Sequence, residues 1–386
     1  MERIRFGLVG VGLPSGEPEW KARLHWHIPS IAWSRYFPKI TGLDNTELVS
    51  VCARSEESVR RVQSVYNVKR IFTDYDKMLE DPDMDAVVIA TPNRLHAVMA
   101  IKAIRAGKHV LIEKPMATNF EDAKRVFEEA CRAKVKVFPL PWIYSKFFMK
   151  VRSILEENQI GRVAIVRSRY AHGGPGHSEW FYKDEEGGGV VFDLGVYPVS
   201  AITAWFGPVK SVQSFMDTVQ KKRFVKDKLI DVEVEDNAIL CLEFDDGVLS
   251  SIETNYCTVS NVGNMYELHG TEGSIFLENR DTELKIFSKK KVYENMMGWM
   301  MFKDFQRAST AWPLADPIVE YFVESIINDW DTLPFIEHQM HVIEVLEKSR
   351  VSYKTGRVLK LSTSFNPTKI FSELEKFFSR NQGKEF

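Results

Sequence analysis

Short apolar runs alternate with helical segments in the first 140 residues. The runs are rich in Val, Ile and Leu and show little polar alternation, as in Ile4–Val9, Glu47–Ala53, Ala86–Ala90, His109–Glu113 and Val135–Leu140. This composition is typical of parallel strands that are buried on both faces. The intervening segments are amphipathic, and Glu121–Ala133 carries a clear apolar stripe. Thr118 and Glu121 have the spacing of a capping box at the start of that helix. The repeat of strand and helix predicts an α/β fold with a doubly wound parallel sheet.

The pattern changes after Pro141. A helix near Phe147–Asn158 precedes a half-buried strand, a glycine-rich stretch and a helix near Tyr197–Trp205. Longer strands with period-two alternation follow, and Asp245-Asp246-Gly247 between two of them is a hairpin signal. A Met- and Trp-rich segment, 296–312, breaks the strand pattern before a helix near Pro317. We therefore expect a second domain with an open sheet and much antiparallel pairing.

Composition narrows the class of protein. The chain has 386 residues, a length that suits two domains, and a net charge of -2. No basic patch suggests nucleic-acid binding, and no apolar run is long enough to cross a membrane. The N-terminus enters a strand without a signal-peptide pattern. Four scattered cysteines without a CxxC pair argue against a zinc site or a disulfide framework. We expect a cytoplasmic protein with neither nucleic-acid nor membrane partners.

The first strand runs into glycines at positions 7, 10 and 12. Gly10 and Gly12 permit a tight turn and a close approach of the backbone to a pyrophosphate. A strict GxGxxG motif would have glycine at position 15, where Ser15 stands, and residues 13–23 form an insertion. The glycines alone are a weak signal for a dinucleotide site.

Polar residues follow two further strands. Thr91, Pro92 and Asn93, with His96 nearby, end one strand, and Glu113-Lys114-Pro115 ends the next. Ligands of open parallel sheets bind beyond the carboxyl ends of the strands. We therefore predict that Thr91, Pro92, Asn93, His96, Glu113 and Lys114 line a dinucleotide site.

The second strand ends in Arg54 and Ser55, where an NAD-binding protein commonly has an acidic residue for the ribose hydroxyls. Arg54 and Ser55 suit a 2'-phosphate instead, with Arg60 as a helper, so we favour NADP over NAD. In the alternative interpretation, Ser55 only caps the next helix and Arg54 faces water.

Together these residues resemble the Gfo/Idh/MocA family, named for glucose–fructose oxidoreductase and inositol dehydrogenase. The resemblance rests on the glycines of 7–12, on Thr91-Pro92-Asn93 and on residues 106–115, and it continues through 187–197, 269–274 and 352–361. It implies a Rossmann dinucleotide-binding domain over 1–140. It also implies a substrate-binding and oligomerisation domain over 141–386, with a large open mixed sheet through which homodimers or homotetramers pack.

The resemblance also implies site residues. Lys114 matches the family's catalytic lysine, with Pro115 expected to be cis, and Asp193 matches its catalytic-site aspartate. Tyr197 stands where many members have histidine, and this departure leaves the acid–base group open. In our hypothesis Tyr197 exchanges the proton, Lys114 polarises the oxygen and Asp193 orients the pair. In the competing version Lys114 itself carries the proton. A purely structural alternative makes Asp193 a helix cap and Tyr197 a core residue.

The loop 172–182 is predicted to cover the substrate. His172, His177 and Trp180 suit hydroxyl groups and the apolar face of a sugar, and a rigid turn with a packed aromatic tail is the alternative. Two histidines without a third ligand argue against metal. Trp142 and Tyr144 are further candidates for the cleft, and single tryptophans at positions 20, 26, 33, 299 and 312 suit a lid, a subunit contact or the core.

The leading prediction is an NAD(P)-dependent oxidoreductase that transfers a hydride between nicotinamide and a hydroxyl or keto carbon of a sugar, polyol or related small molecule. A glycosidase with tightly bound NAD is one alternative, and it would turn over glycosides without added nicotinamide. A catalytically silent sensor of cofactor or sugar is another, although the set Lys114, Asp193 and Tyr197 argues against it, because a sensor needs no acid–base groups.

Overall fold

The N-terminal strands form one parallel sheet in the computed structural model, which describes residues 3–12, 31–140, 143, 146–259, 264–278, 283–290, 298–303 and 317–381. Within these residues the sheet has six strands in the order β3-β2-β1-β4-β5-β6. The strands are β1 (Ile4–Val9), β2 (Thr46–Cys52), β3 (Arg70–Phe72), β4 (Ala86–Ile89), β5 (His109–Ile112) and β6 (Val137–Pro139). All neighbouring pairs are parallel, which confirms the predicted doubly wound sheet.

Helices cover this sheet. They are α1 (Phe37–Gly42), α2 (Glu56–Tyr66), α3 (Tyr75–Leu79), α4 (His96–Arg105) and α5 (Phe120–Arg132), with a π-helical turn at Ala32–Tyr36 and a 3₁₀ turn at Asn93–Leu95. The predicted capping box of α5 is wrong by one residue. Asn119 is the N-cap, and its side chain accepts a hydrogen bond from Asp122 N. Asparagine serves this position as well as threonine does, and sequence spacing alone does not separate the two.

The second part carries α6 (Lys146–Glu156), α7 (Val190–Asp193), α8 (Val196–Phe206), α9 (Ile318–Ile327), α10 (Leu333–Thr355) and α11 (Pro367–Arg380). Its strands are β7 (Val163–Ala171), β8 (Val209–Asp217), β9 (Lys222–Val225), β10 (Lys228–Asp231), β11 (Asn237–Phe244), β12 (Leu249–Asn255), β13 (Asn264–Gly270), β14 (Gly273–Glu278), β15 (Glu283–Ser288), β16 (Gly298–Lys303) and β17 (Leu359–Lys360). The described part of the sheet has the order β16-β15-β14-β13-β7-β12-β11-β8-β17, and β9 and β10 pair separately.

This large sheet is mixed, as expected. β7 and β12 are parallel neighbours, and the other neighbouring strands are antiparallel. The predicted hairpin at Asp245-Asp246-Gly247 joins β11 to β12, with Gly247 at φ 84°, a backbone angle that favours glycine.

One expectation for the second domain is wrong. The segment 296–312 does not simply interrupt the strands, because its residues Gly298–Lys303 form β16. Trp299 and Met301 are exposed along this strand. Large apolar side chains on an exposed face hide the period-two pattern by which strands are predicted.

The C-terminal helices return to the first sheet. Phe138 of β6 stacks on Tyr321 of α9 with ring centroids 5.0 Å apart, and it meets the edge of Phe335 of α10 at 5.0 Å. Phe6 of β1 lies 6.2 Å from Phe322. These aromatic contacts bury one face of the Rossmann sheet and fix the second sheet beside it. No described helix has both the length and the apolar character that a membrane span needs.

Candidate active site

Lys114 and Asp193 form an ion pair between the two parts of the chain. Lys114 follows β5, and its peptide bond to Pro115 is cis, as expected. Lys114 Nζ donates to Asp193 Oδ1 at 2.6 Å and to the Asp193 carbonyl oxygen at 2.9 Å. The two side chains are 13% and 7% exposed. The structure thus brings together two residues that are 79 positions apart in the sequence.

Asp193 is the last residue of α7. Its burial works to raise the pKa of the carboxyl group, but the Lys114 charge and the donors of Lys114 and Tyr256 outweigh this and hold the pKa below its ordinary value. The carboxylate is therefore ionised across the neutral range. Asp193 does not cap the following helix, because Gly195 is the N-cap of α8 and no side chain caps there.

The ring of Tyr197 lies beside this ion pair. Its centroid is 4.8 Å from Lys114 Nζ, a cation–π distance. Tyr170, near the end of β7, stacks on the same ring with centroids 4.6 Å apart and an angle of 14° between the planes. Tyr197 is half-buried, and stacking on Tyr170 fixes its ring beside the ion pair.

Three residues of this cluster were missed by the sequence analysis. Tyr256, which directly follows β12, donates from its hydroxyl to Asp193 Oδ2 at 2.7 Å. Arg223 Nη2 donates to the Tyr256 carbonyl oxygen at 2.9 Å and pairs with Asp236 at 3.0 Å. Tyr170 is the third. Tyr170 and Tyr256 lie at the carboxyl ends of two parallel neighbouring strands, the position already used for the first sheet, but this pairing is a property of the tertiary fold that the sequence does not show.

His172 lies where the loop 172–182 leaves β7. Its ring stacks on Tyr256 at 5.4 Å, and its Nδ1 accepts a hydrogen bond from Gly174 N at 2.9 Å. Burial lowers its pKa, Asp193 works in the opposite direction, and Lys114 and Arg223 add to the lowering. His172 is therefore a neutral imidazole at neutral pH.

The rest of the loop is well packed. His177 and Trp180 both contact Phe181, at ring distances of 5.3 and 3.7 Å. The Tyr182 hydroxyl donates to the Pro175 carbonyl oxygen at 2.8 Å. These contacts agree with the alternative interpretation, in which the loop is a rigid turn with a packed aromatic tail. His177 and Trp180 are nevertheless only half-buried, so part of their surface is accessible. Binding of substrate by the loop stays a prediction.

The glycine-rich segment before Asp193 is held from several sides. Arg350 of α10 donates to the Gly188 carbonyl oxygen at 2.6 Å and to Glu235 at 2.7 Å. A Cβ at Gly189 would lie 2.2 Å from Arg350 Nη2, and this residue has φ 98°. The glycines therefore let the chain pass tightly between Arg350 and the start of α7.

The carboxyl edge of the first sheet fits a dinucleotide. Gly10 has φ 93°, and a Cβ there would lie 2.3 Å from the Ala90 carbonyl oxygen, so only glycine allows the β1 turn to pass the end of β4. Gly12 N donates to Gly10 O at 2.9 Å within that turn. Thr91 Oγ1 is buried and has no hydrogen-bond partner among the described residues. An unsatisfied hydroxyl beside a glycine turn is a suitable place for a polar ligand.

His96 and Asn93 are hydrogen-bonded to backbone carbonyl oxygens at this edge of the sheet. His96 is buried, with Nδ1 and Nε2 each 2.7 Å from a carbonyl oxygen, those of Pro115 and Thr91. Asn93 is buried and donates to the Gly187 carbonyl oxygen at 2.9 Å. Both residues join the predicted cofactor edge to neighbouring turns. Pro92, which directly precedes Asn93 in the chain, is half-buried at the start of the 3₁₀ turn.

Glu113 is also buried, and its partners are internal. Its Oε1 accepts from Tyr36 Oη at 2.8 Å and from Arg35 Nη1 at 3.2 Å, and its Oε2 accepts from Lys114 N at 3.0 Å. Arg35 and Tyr36 belong to the π-helical turn, which the sequence analysis did not identify. Glu113 thus supports the backbone of Lys114.

The end of β2 carries Arg54 and Ser55 on the surface. Ser55 Oγ accepts from Ser58 N at 3.4 Å and so caps α2, as the alternative interpretation states. Arg60 pairs with Glu56 at 2.7 Å. Arg54 is exposed and has no ion-pair partner within the ranges that the structure describes.

Some candidate residues lie outside the described residues, namely Trp20, Trp26, Trp142, Tyr144 and Trp312, together with the insertion at 13–23. Trp33 is described, and its indole N–H donates to the Gly12 carbonyl oxygen at 2.7 Å. Trp299 is exposed on the large sheet. Among the described side chains, no group of three or more could hold a metal ion.

A doubly wound parallel sheet with a buried lysine–aspartate pair at its ligand edge is an arrangement that suits a dinucleotide-binding oxidoreductase. The sequence profile of the oxidoreductase family with an NAD-binding Rossmann fold matches residues 4–140, and the GFO/IDH/MocA C-terminal domain profile matches residues 148–276. The chain is similar to 1,5-anhydro-D-fructose reductase from Ensifer adhaerens, with 30% identity over 61% of this chain and 70% of the relative. The chain belongs to the Gfo/Idh/MocA family of oxidoreductases.

Two further relatives extend over most of the chain. Levoglucosan dehydrogenase from Pseudarthrobacter phenanthrenivorans is 27% identical over 74% of this chain and 76% of its own length. A solved structure of levoglucosan dehydrogenase with NADH and L-sorbose has a TM-score of 0.76 and 21% identity, and the match covers 94% of this chain and 99% of that one. The structural likeness confirms the fold over both parts of the chain.

Proposed function

We propose that this oxidoreductase is an NADP(H)-preferring sugar or polyol dehydrogenase or ketose reductase. The observation that best supports this proposal is the position of the Lys114 ammonium group. Its Nζ lies 2.6 Å from the buried Asp193 carboxylate and 4.8 Å from the centroid of the Tyr197 ring. A bound nicotinamide accepts or supplies the hydride. The residues of this chain then have to supply a proton to the substrate oxygen, or remove one from it.

Lys114 suits the polarisation of that oxygen, because its charge is fixed in place and shielded from bulk water. Tyr197 suits the transfer of the proton, since an ordinary phenol keeps its proton at neutral pH and can donate it to a developing alkoxide. Because the Asp193 carboxylate is paired with Lys114, Asp193 suits the role of a group that orients the Lys114 side chain. The competing assignment makes Lys114 the proton carrier and Tyr197 a wall of the site.

Sugar-like substrates are supported by the names of the relatives, which include an anhydrofructose reductase and a levoglucosan dehydrogenase. They are also supported by the aromatic rings of Tyr170 and Tyr197 beside the ion pair and of Trp180 in the loop 172–182. Aromatic rings beside polar groups suit sugars, because sugar rings alternate C–H faces with hydroxyl edges.

A substrate screen tests this proposal. The purified protein is assayed with sugars, polyols and keto-sugars, each with NAD(H) and NADP(H), and turnover is followed by the nicotinamide absorbance. We expect at least one hydroxylated substrate to be oxidised, or its ketone reduced, with turnover that depends on added dinucleotide. Turnover of glycosides without added nicotinamide would favour the glycosidase instead, and cofactor binding without any turnover would favour the sensor.

The preference for NADP rests on Arg54, whose exposed guanidinium stands where NAD-binding proteins commonly have an acid. Solved relatives have been crystallised with NADH, so this preference has to be measured on this chain. Arg54→Glu is expected to lower kcat/KM with NADP about 10- to 100-fold, the effect of one lost charge-assisted hydrogen bond, and to spare the value with NAD.

Arg61→Glu is the matched control, because it makes the same charge change on the exposed side of α2, seven residues further along. If Arg54→Glu and Arg61→Glu change the ratio of the two cofactors equally, Arg54 does not bind the 2'-phosphate.

We also propose a homodimer or homotetramer that packs through the large sheet. The support is a row of exposed apolar side chains on three neighbouring strands, namely Phe215 of β8 at 66%, Ile239 of β11 at 46% and Leu249 of β12 at 54%. Sedimentation analysis measures the assembly directly.

We also propose a cytoplasmic location, because the four cysteines, all of which are described, are free.

A further inference from the structure

Both oxygens of the Asp193 carboxylate are bound, and each has a different donor. Lys114 Nζ binds Oδ1 at 2.6 Å, and the Tyr256 hydroxyl binds Oδ2 at 2.7 Å. Tyr256 is fully buried, so it is shielded from the cleft where a substrate binds. Its hydroxyl therefore acts on the site only through the carboxylate.

We propose that Tyr256 is a positioning residue for the hydride-transfer reaction: its hydroxyl fixes the orientation of Asp193, and Asp193 then holds the Lys114 ammonium beside Tyr197. This inference rests on the proposed function. A carboxylate bound at one oxygen can rotate about its side-chain bonds. A carboxylate bound at both oxygens keeps one orientation, and misplacement by about 1 Å can cost about 100-fold in rate.

The ring of Tyr256 is itself held from several directions. His172 stacks on it at 5.4 Å, and Tyr182 meets it edge-on at 5.7 Å. Arg223 donates to the Tyr256 carbonyl oxygen at 2.9 Å, to the Gly173 carbonyl oxygen at 2.9 Å and to Asp236 at 3.0 Å. The packed residues at the base of the loop 172–182 therefore set the position of the Tyr256 hydroxyl. Through this hydroxyl, the conformation of the loop affects the geometry of the Lys114–Asp193 ion pair.

The protonation states agree with this role. Burial and the neighbouring Asp193 raise the pKa of Tyr256 well above its ordinary value, so the phenol keeps its proton and stays a donor. Among the described residues, the titratable or charged groups that face Asp193 are Lys114, Tyr256, His172 and Tyr182. Those that face Tyr256 are Asp193, Tyr182, Glu235, Arg223 and His172. Among these groups, Lys114 and the Tyr256 hydroxyl hydrogen-bond to the carboxylate through their side chains.

Loss of the hydroxyl has a defined effect on pH dependence. Burial works to raise the pKa of Asp193, and the Tyr256 hydroxyl is one of the groups that lower it. Without the hydroxyl the pKa rises, so the carboxylate is protonated at a higher pH and the ion pair with Lys114 fails there. The acid limb of the kcat profile therefore moves to higher pH.

Tyr256→Phe is the test, because phenylalanine keeps the ring that His172 and Tyr182 contact. We expect kcat to fall about 10- to 100-fold, the range for a lost hydrogen bond to a charged group, with unchanged dinucleotide affinity and a raised acid limb. Tyr75→Phe is the matched control. It removes a tyrosine hydroxyl that donates to the Met99 carbonyl oxygen at 3.0 Å, far from the ion pair, and should leave kcat and the pH profile unaltered.

A double-mutant cycle separates positioning from a general loss of stability. If Tyr256 acts through Asp193, Tyr256→Phe has little further effect on kcat in an Asp193→Asn background. Equal effects of Tyr256→Phe in both backgrounds, or an unmoved acid limb, overturn the inference.

An NMR titration does not require turnover, so it tests the role of Tyr256 independently of the proposed function. In protein with ¹³C-labelled aspartate carboxyls, the signal that Asp193→Asn removes is assigned to Asp193 and titrated with acid. The inference predicts a higher midpoint in Tyr256→Phe than in the unsubstituted protein and no change in Tyr75→Phe. An equal midpoint in Tyr256→Phe overturns the inference even in an active enzyme. Failure of all substrates to turn over overturns the proposed function alone.

Discussion

Lys114→Met is expected to lower kcat by about 10²- to 10³-fold, the range for the loss of one group that stabilises charge on the substrate oxygen. Methionine keeps much of the length of the side chain and removes the charge that lies 2.6 Å from Asp193. Steady-state assays with the substrate found in the screen measure the loss, and fluorescence titration measures dinucleotide affinity separately. Lys102→Met, in an exposed pair with Asp76, is the control and should keep full activity.

The same substitution removes the charge that lowers the pKa of Asp193. Burial then raises that pKa without opposition from Lys114, and the carboxyl takes up a proton at a higher pH. A kcat that falls less than about tenfold, well under the range for a group that stabilises charge on the substrate oxygen, would contradict the assignment of Lys114.

Tyr197→Phe separates the two versions of proton transfer. If Tyr197 exchanges the proton, the variant loses most of its turnover, although its ring can keep its contacts with Tyr170 and Lys114. If turnover and the pH profile are unchanged, Lys114 itself carries the proton. Rates measured across pH for both variants decide between the two.

The largest loss of stability is expected from Arg35→Met. Arg35 is fully buried and pairs with the buried Glu113 at 3.2 Å. Removal of one partner leaves a buried charge without its counterpart, which costs about 3–5 kcal/mol in the free energy of unfolding. Urea denaturation followed by circular dichroism measures the change.

The double variant Arg35→Met with Glu113→Gln is the control for this pair. It removes both charges, so it should be more stable than the sum of the two single changes predicts. Additive losses, or a loss below about 1 kcal/mol for Arg35→Met alone, would mean that the pair is not important for folding. Because Glu113 also accepts from Lys114 N, we expect a parallel loss of dinucleotide affinity.

Much of the fold was predictable because strands and turns leave local signals. The apolar runs gave five of the six strands of the first sheet, and the hairpin at Gly247 followed from three residues. The three-residue strand Arg70–Phe72 was missed, since so short a run has no periodicity. The strand Gly298–Lys303 was hidden by apolar residues on its exposed face.

The candidate site was predictable only in part. Lys114 and Asp193 stand in recognisable motifs, whereas Tyr256 stands in none and reaches Asp193 across 63 residues. Such a contact depends on the pairing of β12 with β7, which is a property of the tertiary fold. Likewise, the sequence predicted that His96 lies at the cofactor edge. It did not predict that the two ring nitrogens of His96 contact the carbonyl oxygens of Pro115 and Thr91.

The position of the nicotinamide ring tests the central claim most directly. Crystals of the protein with the dinucleotide that it binds more tightly, together with a substrate from the screen, would show both ligands. The account predicts that the hydroxyl or keto oxygen of the substrate lies within about 3.5 Å of Lys114 Nζ, with the reacting carbon facing the nicotinamide at a similar distance. A dinucleotide bound elsewhere, or a Lys114 side chain turned away from both ligands, would contradict it.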